Sequence, residues 1–182
     1  MTLRNCCLLA AAVLLALPAI VAGAAPPPPV SACSDGPYHE LDFWIGEWDV
    51  FDAVAPAKTV ANVRVALVLE GCALREEYRD PSGLRGLSLS SYVASKDLWQ
   101  QTWLTNRGQL LVLEGGLQGD EFVLEGSDVG PDGKARRVRG SWKRVPDGVR
   151  ETAVRSTDGG ATWSPWFDLL FRAARPATRR GA

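Results

Sequence analysis

The sequence predicts an all-β fold, an antiparallel closed or nearly closed barrel of about 8–10 strands. The first observation is a series of short segments in which inward and outward positions alternate, as in residues 62–69, where Val63, Val65 and Leu67 occupy every second place. The second is that turn-forming residues separate these segments at hairpin spacing, with no convincing amphipathic helix between them. Closing such a sheet removes its aggregation-prone edges, which favours a barrel, and a two-sheet sandwich is the alternative.

The first 24 residues have the organisation of a secretory signal peptide. Arg4 forms a short basic region, residues 6–21 are almost entirely apolar, and residues 22–24 are a small-residue cleavage site. The apolar run is shorter than the roughly 20 residues of a membrane span, and Pro18 interrupts it. We therefore expect a periplasmic or secreted bacterial protein without an integral membrane segment after cleavage.

Cysteine usage agrees with export. Cys6 and Cys7 leave with the signal peptide, and the remaining pair, Cys33 and Cys72, predicts one disulfide in an exported chain. No CxxC spacing accompanies these cysteines, which disfavours a redox-active or metal-binding pair. Residues 30–33 also resemble a lipoprotein cleavage box, but they lie beyond four prolines rather than next to the apolar run. Lipid attachment at Cys33 is therefore the less favoured alternative.

The rest of the chain has the length of one domain. We assign residues 25–37 to a proline-rich lead, residues 38–173 to the barrel and residues 174–182 to a disordered basic tail. The formal net charge is −1 and no basic stripe is present, so nucleic acid is not an expected partner. We expect a monomer or a weak dimer.

Residues 41–50 predict a plug and the first strand of the barrel. This segment places Trp44 and Trp48 on either side of Gly46. A glycine lets the backbone turn tightly and approach its neighbours, and the flanking rings carry a large apolar area that has to be buried.

The remaining strands are separated by turns that contain Gly, Pro, Asp or Asn. The turns are residues 80–83, 95–97, 106–108, 118–120, 131–133 and 146–148. A further one, residues 156–163, matches the Asp-box pattern S-x-D-x-G-x-T-W, in which Ser156, Asp158, Gly160 and Trp163 build a structural turn. Asp boxes recur in sialidases, but a propeller needs several blades and this chain is too short for them. The motif is therefore interpreted as a hairpin signal.

Two neighbouring strands predict a mixed aromatic and polar face, the kind that lines ligand pockets. Trp99, Gln101 and Trp103 share one face of their strand, and Ser88, Ser90 and Tyr92 share one face of the strand before it. The ligand-lining candidates are Trp48, Tyr78, Tyr92, Trp99, Gln101, Trp103 and Trp142. The leading functional hypothesis is therefore binding of a small apolar or amphipathic molecule inside the barrel.

Patterns that would indicate an enzyme are weak. His39 is the single histidine, no G-x-S-x-G motif occurs, and no metal-ligand spacing is found, so we assign no catalytic residues, no metal and no cofactor. A carboxylate-based hydrolase of envelope glycans or esters is the alternative, and it needs two acids that face each other across a pocket. The acids considered are Glu47, Asp49, Glu76, Glu114 and Glu125. A structural or interaction module with a filled core is the third hypothesis.

Five motifs, taken in order, resemble a known family. They are residues 41–50, Glu70-Gly71-Cys72, Trp99-x-Gln101-x-Trp103, Leu113-x-Gly115-Gly116 and the Asp box. In this order they are similar to uncharacterised exported bacterial proteins with a lipocalin-like (calycin-like) barrel, domain of unknown function 1579 or a close relative. The resemblance covers almost the whole mature chain and implies the barrel, the export and the Cys33–Cys72 bridge. It implies no activity and no catalytic residues.

The sequence departs from that family in the fourth strand. Relatives tend to have an Asn followed by Tyr-Asp where this chain has Ser90-Ser91-Tyr92-Val93, so a ligand contact made through that Asn would be altered here. The barrel is also similar to nitrobindins, which handle nitrite and haem. The late axial histidine of those barrels is missing, which argues against haem.

Overall fold

The computed structural model describes residues 32–34, 36–130 and 132–175, and it forms a closed antiparallel barrel. Its strands are β1 (Gly46–Asp52), β2 (Thr59–Val68), β3 (Ala73–Arg79), β4 (Arg85–Val93), β5 (Leu98–Thr105), β6 (Leu110–Gln118), β7 (Glu121–Val129), β8 (Ala135–Val145), β9 (Gly148–Ser156) and β10 (Ser164–Ala173). The predicted signal peptide, most of the proline-rich lead and residues 176–182 of the predicted tail lie outside the described residues. No helix in the described part of the chain is long and apolar enough to span a membrane.

Each strand pairs with its neighbours in the sequence, and β1 pairs with β10 to close the barrel. This confirms the predicted barrel over the sandwich. Because neighbouring strands run in opposite directions, the hairpins β1–β2, β3–β4, β5–β6, β7–β8 and β9–β10 all lie at one end, which we name the open end. The opposite end, where β1 begins, is named the plug end.

A short 3₁₀ helix, Asp42–Trp44, fills the plug end. Trp44 is 1% exposed and packs against Trp142 and Phe171, with ring centroids 5.7 and 6.2 Å away. The indole of Trp48 donates a hydrogen bond of 2.9 Å to the carbonyl of Trp44, which ties the 3₁₀ helix to β1. Gly46, at φ +156°, makes this possible, since a Cβ there would lie 3.1 Å from the Trp48 ring.

The Cys33–Cys72 disulfide is formed, as predicted, and joins the N-terminal lead to the start of β3. A second 3₁₀ helix, Gly36–His39, and a 3₁₀ turn, Leu69–Gly71, lie beside it at the plug end. The bridge closes a separation of 39 residues, for which chain entropy predicts a contribution of about 3–4 kcal/mol.

Side chains alternate between the interior and the outer surface along every strand. The plug half of the interior is packed with buried apolar residues, among them Val50, Val63, Phe122 and Phe171. Most of the outer surface carries ion pairs. Three adjacent strands are an exception, since outward-facing apolar side chains of β4, β5 and β6 are between 38% and 57% exposed, namely Leu87, Leu89, Leu104, Leu110 and Val112.

We expect the disulfide to be a major source of stability. The double variant Cys33→Ser/Cys72→Ser should lower the free energy of unfolding by about 3–4 kcal/mol, because the unfolded chain regains the entropy of an open loop. Urea titration of both proteins, with and without reductant, measures this. Reductant should destabilise the wild type and leave the double variant unchanged. Equal stability of the oxidised wild type and the variant would contradict the assignment.

Candidate functional site

The half of the barrel nearest the open end is hollow. A cavity of about 300 Å³ lies between the packed plug and the hairpins of the open end, and it is partly open to solvent. Its walls combine aromatic and aliphatic side chains with a few polar ones. The lining residues are Glu76, Tyr78, Leu84, Gln101, Trp103, Gln109, Leu111, Leu113, Val138, Gly140, Trp142, Glu151, Ala153, Trp166, Phe167 and Leu169.

The polar side of the cavity is built by β3, β4 and β5. The register places Glu76 opposite Ser88, and Ser90 opposite Gln101, so that inward positions of three strands meet. The hydroxyl of Ser88 donates a hydrogen bond of 2.8 Å to Oε2 of Glu76. The amide of Gln101 donates one of 3.1 Å to the hydroxyl of Ser90. These side chains are almost fully buried, so the hydrogen bonds fix their orientation.

The aromatic wall is built by Tyr78 and Trp103, whose rings meet edge to face with centroids 5.9 Å apart. Trp103 can take this position because residue 86, on the strand between them, is glycine. A Cβ at Gly86 would lie 2.0 Å from the Trp103 ring, so the ring occupies the space of a missing side chain.

Glu151 enters the cavity from the opposite wall. It lies on β9, paired across the strands with Trp142 on one side and Leu169 on the other. Its side chain lines the cavity. Glu151 forms no ion pair within the described residues, and the polar group beside its carboxyl is the indole of Trp142, which is 3% exposed.

Burial dominates the electrostatics of this site. Burial raises the pKa of the Glu76 carboxyl from 4.5 to about 7, opposed by the hydrogen bond from Ser88. The pKa of Glu151 is raised well above its ordinary value, first by burial and then by the charge of Glu76, while Trp142 opposes the shift. Burial and the nearby acids Asp80, Glu151 and Glu76 raise the pKa of Tyr78 to about 12. The two glutamates therefore titrate as a coupled pair beside a neutral phenol.

The arginines that face the interior are already paired. Arg136 forms a bidentate ion pair with Asp128, at 3.0 and 2.8 Å, and Arg155 reaches the same carboxylate at 3.3 Å. The guanidinium of Arg155 also lies 3.1 Å from the ring centroid of Trp166. Arg136, Arg155 and Asp128 therefore form one ion-pair cluster near the open end. No ion pair in the described part of the chain joins a cation to Glu76 or Glu151.

The ligand-lining candidates divide into two groups. Tyr78, Gln101, Trp103 and Trp142 lie around the cavity. The others lie in the plug half: Trp48 is held by Trp44, Trp99 packs on Phe122 and donates to Glu40, and Tyr92 contacts Tyr38 and Asp97.

The acids considered for hydrolysis also divide. Of them, the structure places Glu76 alone at the cavity. The other four acids face outward, and each contacts a polar side chain on the outer surface. Glu125 binds Arg137 and Arg139. The remaining contacts are Glu114 with Lys96, Glu47 with Arg64 and Asp49 with Asn62. Sequence reasoning missed Glu151. The alternation of apolar residues in β9 could have indicated it, because Glu151 occupies the position between Val149 and Ala153, both of which face inward.

Two other sequence motifs lie away from the cavity lining. In the Asp box, Asp158 accepts from the backbone of Thr162 at 2.9 Å, and these hydrogen bonds lower the pKa of Asp158. Its Trp163 stacks under the outward-facing Arg139, 4.3 Å from the guanidinium. His39 forms hydrogen bonds with Asp42 and with the carbonyl of Ser34 at the plug end. The Asp box and His39 therefore both make structural contacts.

Neither metal ligation nor relatives identify the site. Within the described residues no group of three or more His, Cys, Asp or Glu side chains is arranged to hold a metal ion. Comparison with protein-family models and with curated proteins gives no match.

We expect the buried glutamates to make stability depend on pH. Because folding raises the pKa of Glu76 from 4.5 to about 7, the folded protein retains a proton that the unfolded chain loses in this window. The free energy of unfolding should therefore fall as pH rises from about 5 to 8. Glu76→Gln should flatten this slope and stabilise the protein at about pH 8 by up to roughly 3 kcal/mol, at about 1.4 kcal/mol per pKa unit.

Urea titrations at a series of pH values measure this slope. Glu47→Gln, on the exposed outer face of β1, is the matched control and should keep the wild-type slope. A Glu76→Gln variant with the same slope as the wild type would show that this carboxyl is not desolvated.

Proposed function

We propose that this protein is an exported β-barrel that binds a small apolar or amphipathic molecule in the cavity at its open end. The observation that carries the proposal is the hollow half of the barrel, about 300 Å³ in volume and lined mainly by apolar and aromatic side chains. This volume lies at the lower limit of small-molecule pockets, which combine apolar walls with a few convergent polar groups. An eight- to ten-stranded barrel is also the size that holds one small ligand.

The distribution of polar groups gives such a ligand an orientation. Tyr78 and Trp103 form one aromatic wall, and Phe167 and Leu169 of β10 add apolar surface on the other. The polar atoms of Glu76, Gln101 and Glu151 lie deeper, towards the plug. The apolar body of a ligand would contact the walls, and its polar group would point towards the glutamates.

The rim of the cavity consists of residues from the open-end hairpins. Leu84 follows the β3–β4 turn, Gln109 precedes β6, and Trp166 lies early in β10. A molecule that reaches the cavity through this rim would exclude water from apolar surface, which is the main source of affinity at such sites.

A carboxylate-based hydrolase is the second candidate, favoured by the convergence of Glu76 and Glu151 on one cavity. Two carboxyls of raised pKa can divide the roles of proton donor and base. Hydrolysis of 4-methylumbelliferyl acetate and 4-methylumbelliferyl glycosides tests it. Turnover that both Glu76→Gln and Glu151→Gln abolish would support the hydrolase, and no turnover above the Glu76→Gln background would reject it.

We expect a neutral aromatic probe to bind in the cavity. Titration of the protein with 2-phenylethanol or 3-(2-hydroxyethyl)indole, followed by NMR and calorimetry, should give saturable 1:1 binding. Trp103→Ala should weaken it about 10-fold or more, since removal of an aromatic wall loses roughly 1.5–3 kcal/mol of apolar contact.

Leu104→Ala is the matched control, because Leu104 is the next residue of β5 and faces outward. It should bind the probes as the wild type does. Absence of saturable binding in the wild type, or equal binding by Trp103→Ala, would contradict the proposal and move attention to the outward-facing apolar residues of β4–β6.

A further inference from the structure

We infer that the cavity is selective for organic cations, and that its ligand is a small aromatic or aliphatic amine whose protonated nitrogen binds between Glu76 and Glu151. This inference rests on the proposed function and deepens it by naming the ligand class. It is carried by the convergence of two carboxyls, with no cation of the described residues paired to them, in a cavity that has apolar walls.

First, the two carboxyls of the cavity have few bonding partners among the described residues. Glu76, 6% exposed, has one hydrogen bond among the described residues, from Ser88 to its Oε2 atom. Glu151 forms no ion pair there, and the one polar side chain that stabilises its carboxylate is the indole of Trp142. Buried carboxylates are normally paired or hydrogen-bonded, because removal from water costs several kcal/mol that only a partner offsets. Both glutamates therefore have acceptor atoms to offer a ligand.

The second step is the absence of a competing cation in the described part of the chain. The remaining titratable groups that face the pair are Tyr78 on β3, which is neutral, and Asp80 beyond it. The inward arginines of β8 and β9, Arg136 and Arg155, are bound to Asp128 nearer the open end. On β2, β4 and β10 the neighbouring inward residues are uncharged: Val63, Val65, Ser88, Ser90, Phe167 and Leu169.

The third step is the match to an ammonium group. A primary ammonium has three N–H donors and no acceptor. The cavity offers carboxyl oxygens from Glu76 and Glu151 and the side-chain carbonyl of Gln101, whose amide nitrogen is already used on Ser90. A metal ion fits less well, since no group of three or more His, Cys, Asp or Glu side chains within the described residues is arranged to hold one.

The fourth step is the surroundings of the charge. Tyr78, Trp103 and Trp142 line the same cavity, and aromatic faces attract cations as well as apolar groups. The indole N–H of Trp142 lies beside Glu151 and favours the ionised form of its carboxyl. Two donors, the Ser88 hydroxyl and the Trp142 indole, therefore already favour the ionised carboxyls that an ammonium would bind.

The same geometry excludes anions. A ligand carboxylate placed beside Glu76 and Glu151 would face two carboxyls and, among the described residues, no cation, and like charges at close range in a poorly solvated site repel strongly. Amines and carboxylates of one shape should therefore differ much more in affinity than amines and alcohols do.

The experiment compares three probes of one shape: 2-phenylethylamine, 2-phenylethanol and 3-phenylpropanoate, titrated calorimetrically at about pH 7.5. We expect the amine to bind at least 10-fold more tightly than the alcohol, and the carboxylate to show no binding. Amine binding should also release a proton from the glutamate pair, so the measured heat should vary with the ionisation enthalpy of the buffer.

Substitutions of single glutamates test whether the preference for the amine depends on the carboxyls of the cavity. Glu151→Gln should weaken the amine at least 10-fold and leave the alcohol within about 2-fold of wild type, which a merely unfolded cavity would not do. Glu125→Gln is the matched control, since Glu125 is bound to Arg137 and Arg139 on the outer face. It should keep the preference for the amine.

The outcomes separate this inference from the proposed function. Equal affinity for amine and alcohol, or a preference for the carboxylate, would overturn the cation selectivity and leave a ligand-binding barrel. An unchanged amine preference in the double variant Glu76→Gln/Glu151→Gln would overturn it too. No binding of any of the three probes would overturn both proposals.

Discussion

The packing of Trp44 inside one end of the barrel is the constraint on which the rest of the interior depends. Trp44 is held by the indole of Trp48 from the strand that follows, and it contacts Trp142 and Phe171 across the barrel. Since this plug fills one end, the apolar side chains of that half form a continuous core. The other half receives no such filling and remains hollow, so one short segment determines both where the core lies and where the cavity lies.

The hollow half contains groups that a purely structural core would avoid. Two carboxyls with limited hydrogen bonding lower stability at neutral pH, and apolar residues of similar size would remove that cost. Proteins keep such arrangements where function requires them, because buried carboxyls of raised pKa can exchange protons or bind a charged group near neutral pH. The glutamates and the cavity are therefore best understood together.

The fold was predictable from the sequence because its signals are local. Alternation of apolar and polar residues fixes which side of a strand is inward, turn residues fix the hairpins, and an even pair of cysteines indicated the disulfide. The position of a side chain along the barrel axis is not local, because it depends on strand register. For this reason the sequence predicts one common lining for Tyr78, Trp103, Trp99 and Tyr92, although the structure separates the first two, at the cavity, from the last two, in the plug half.

Glu151 shows the same limit for chemistry. Its inward position follows from the alternation of Val149 and Ala153. The other carboxyl of the cavity, Glu76, lies six strands earlier in the chain order. Only closure of the barrel brings the two carboxyls to one cavity. Sequence could mark each as inward but could not show that they converge.

The most direct test of this account is a titration of the glutamate carboxyls, followed through their ¹³C chemical shifts by NMR. Glu76→Gln and Glu151→Gln assign the two resonances. We expect Glu76 to titrate near pH 7, the value to which burial raises its pKa, and the pKa of Glu151 to lie well above its ordinary value. Titration of both carboxyls at about pH 4–5, as in water, would show that the cavity does not bury them and would contradict the central claim.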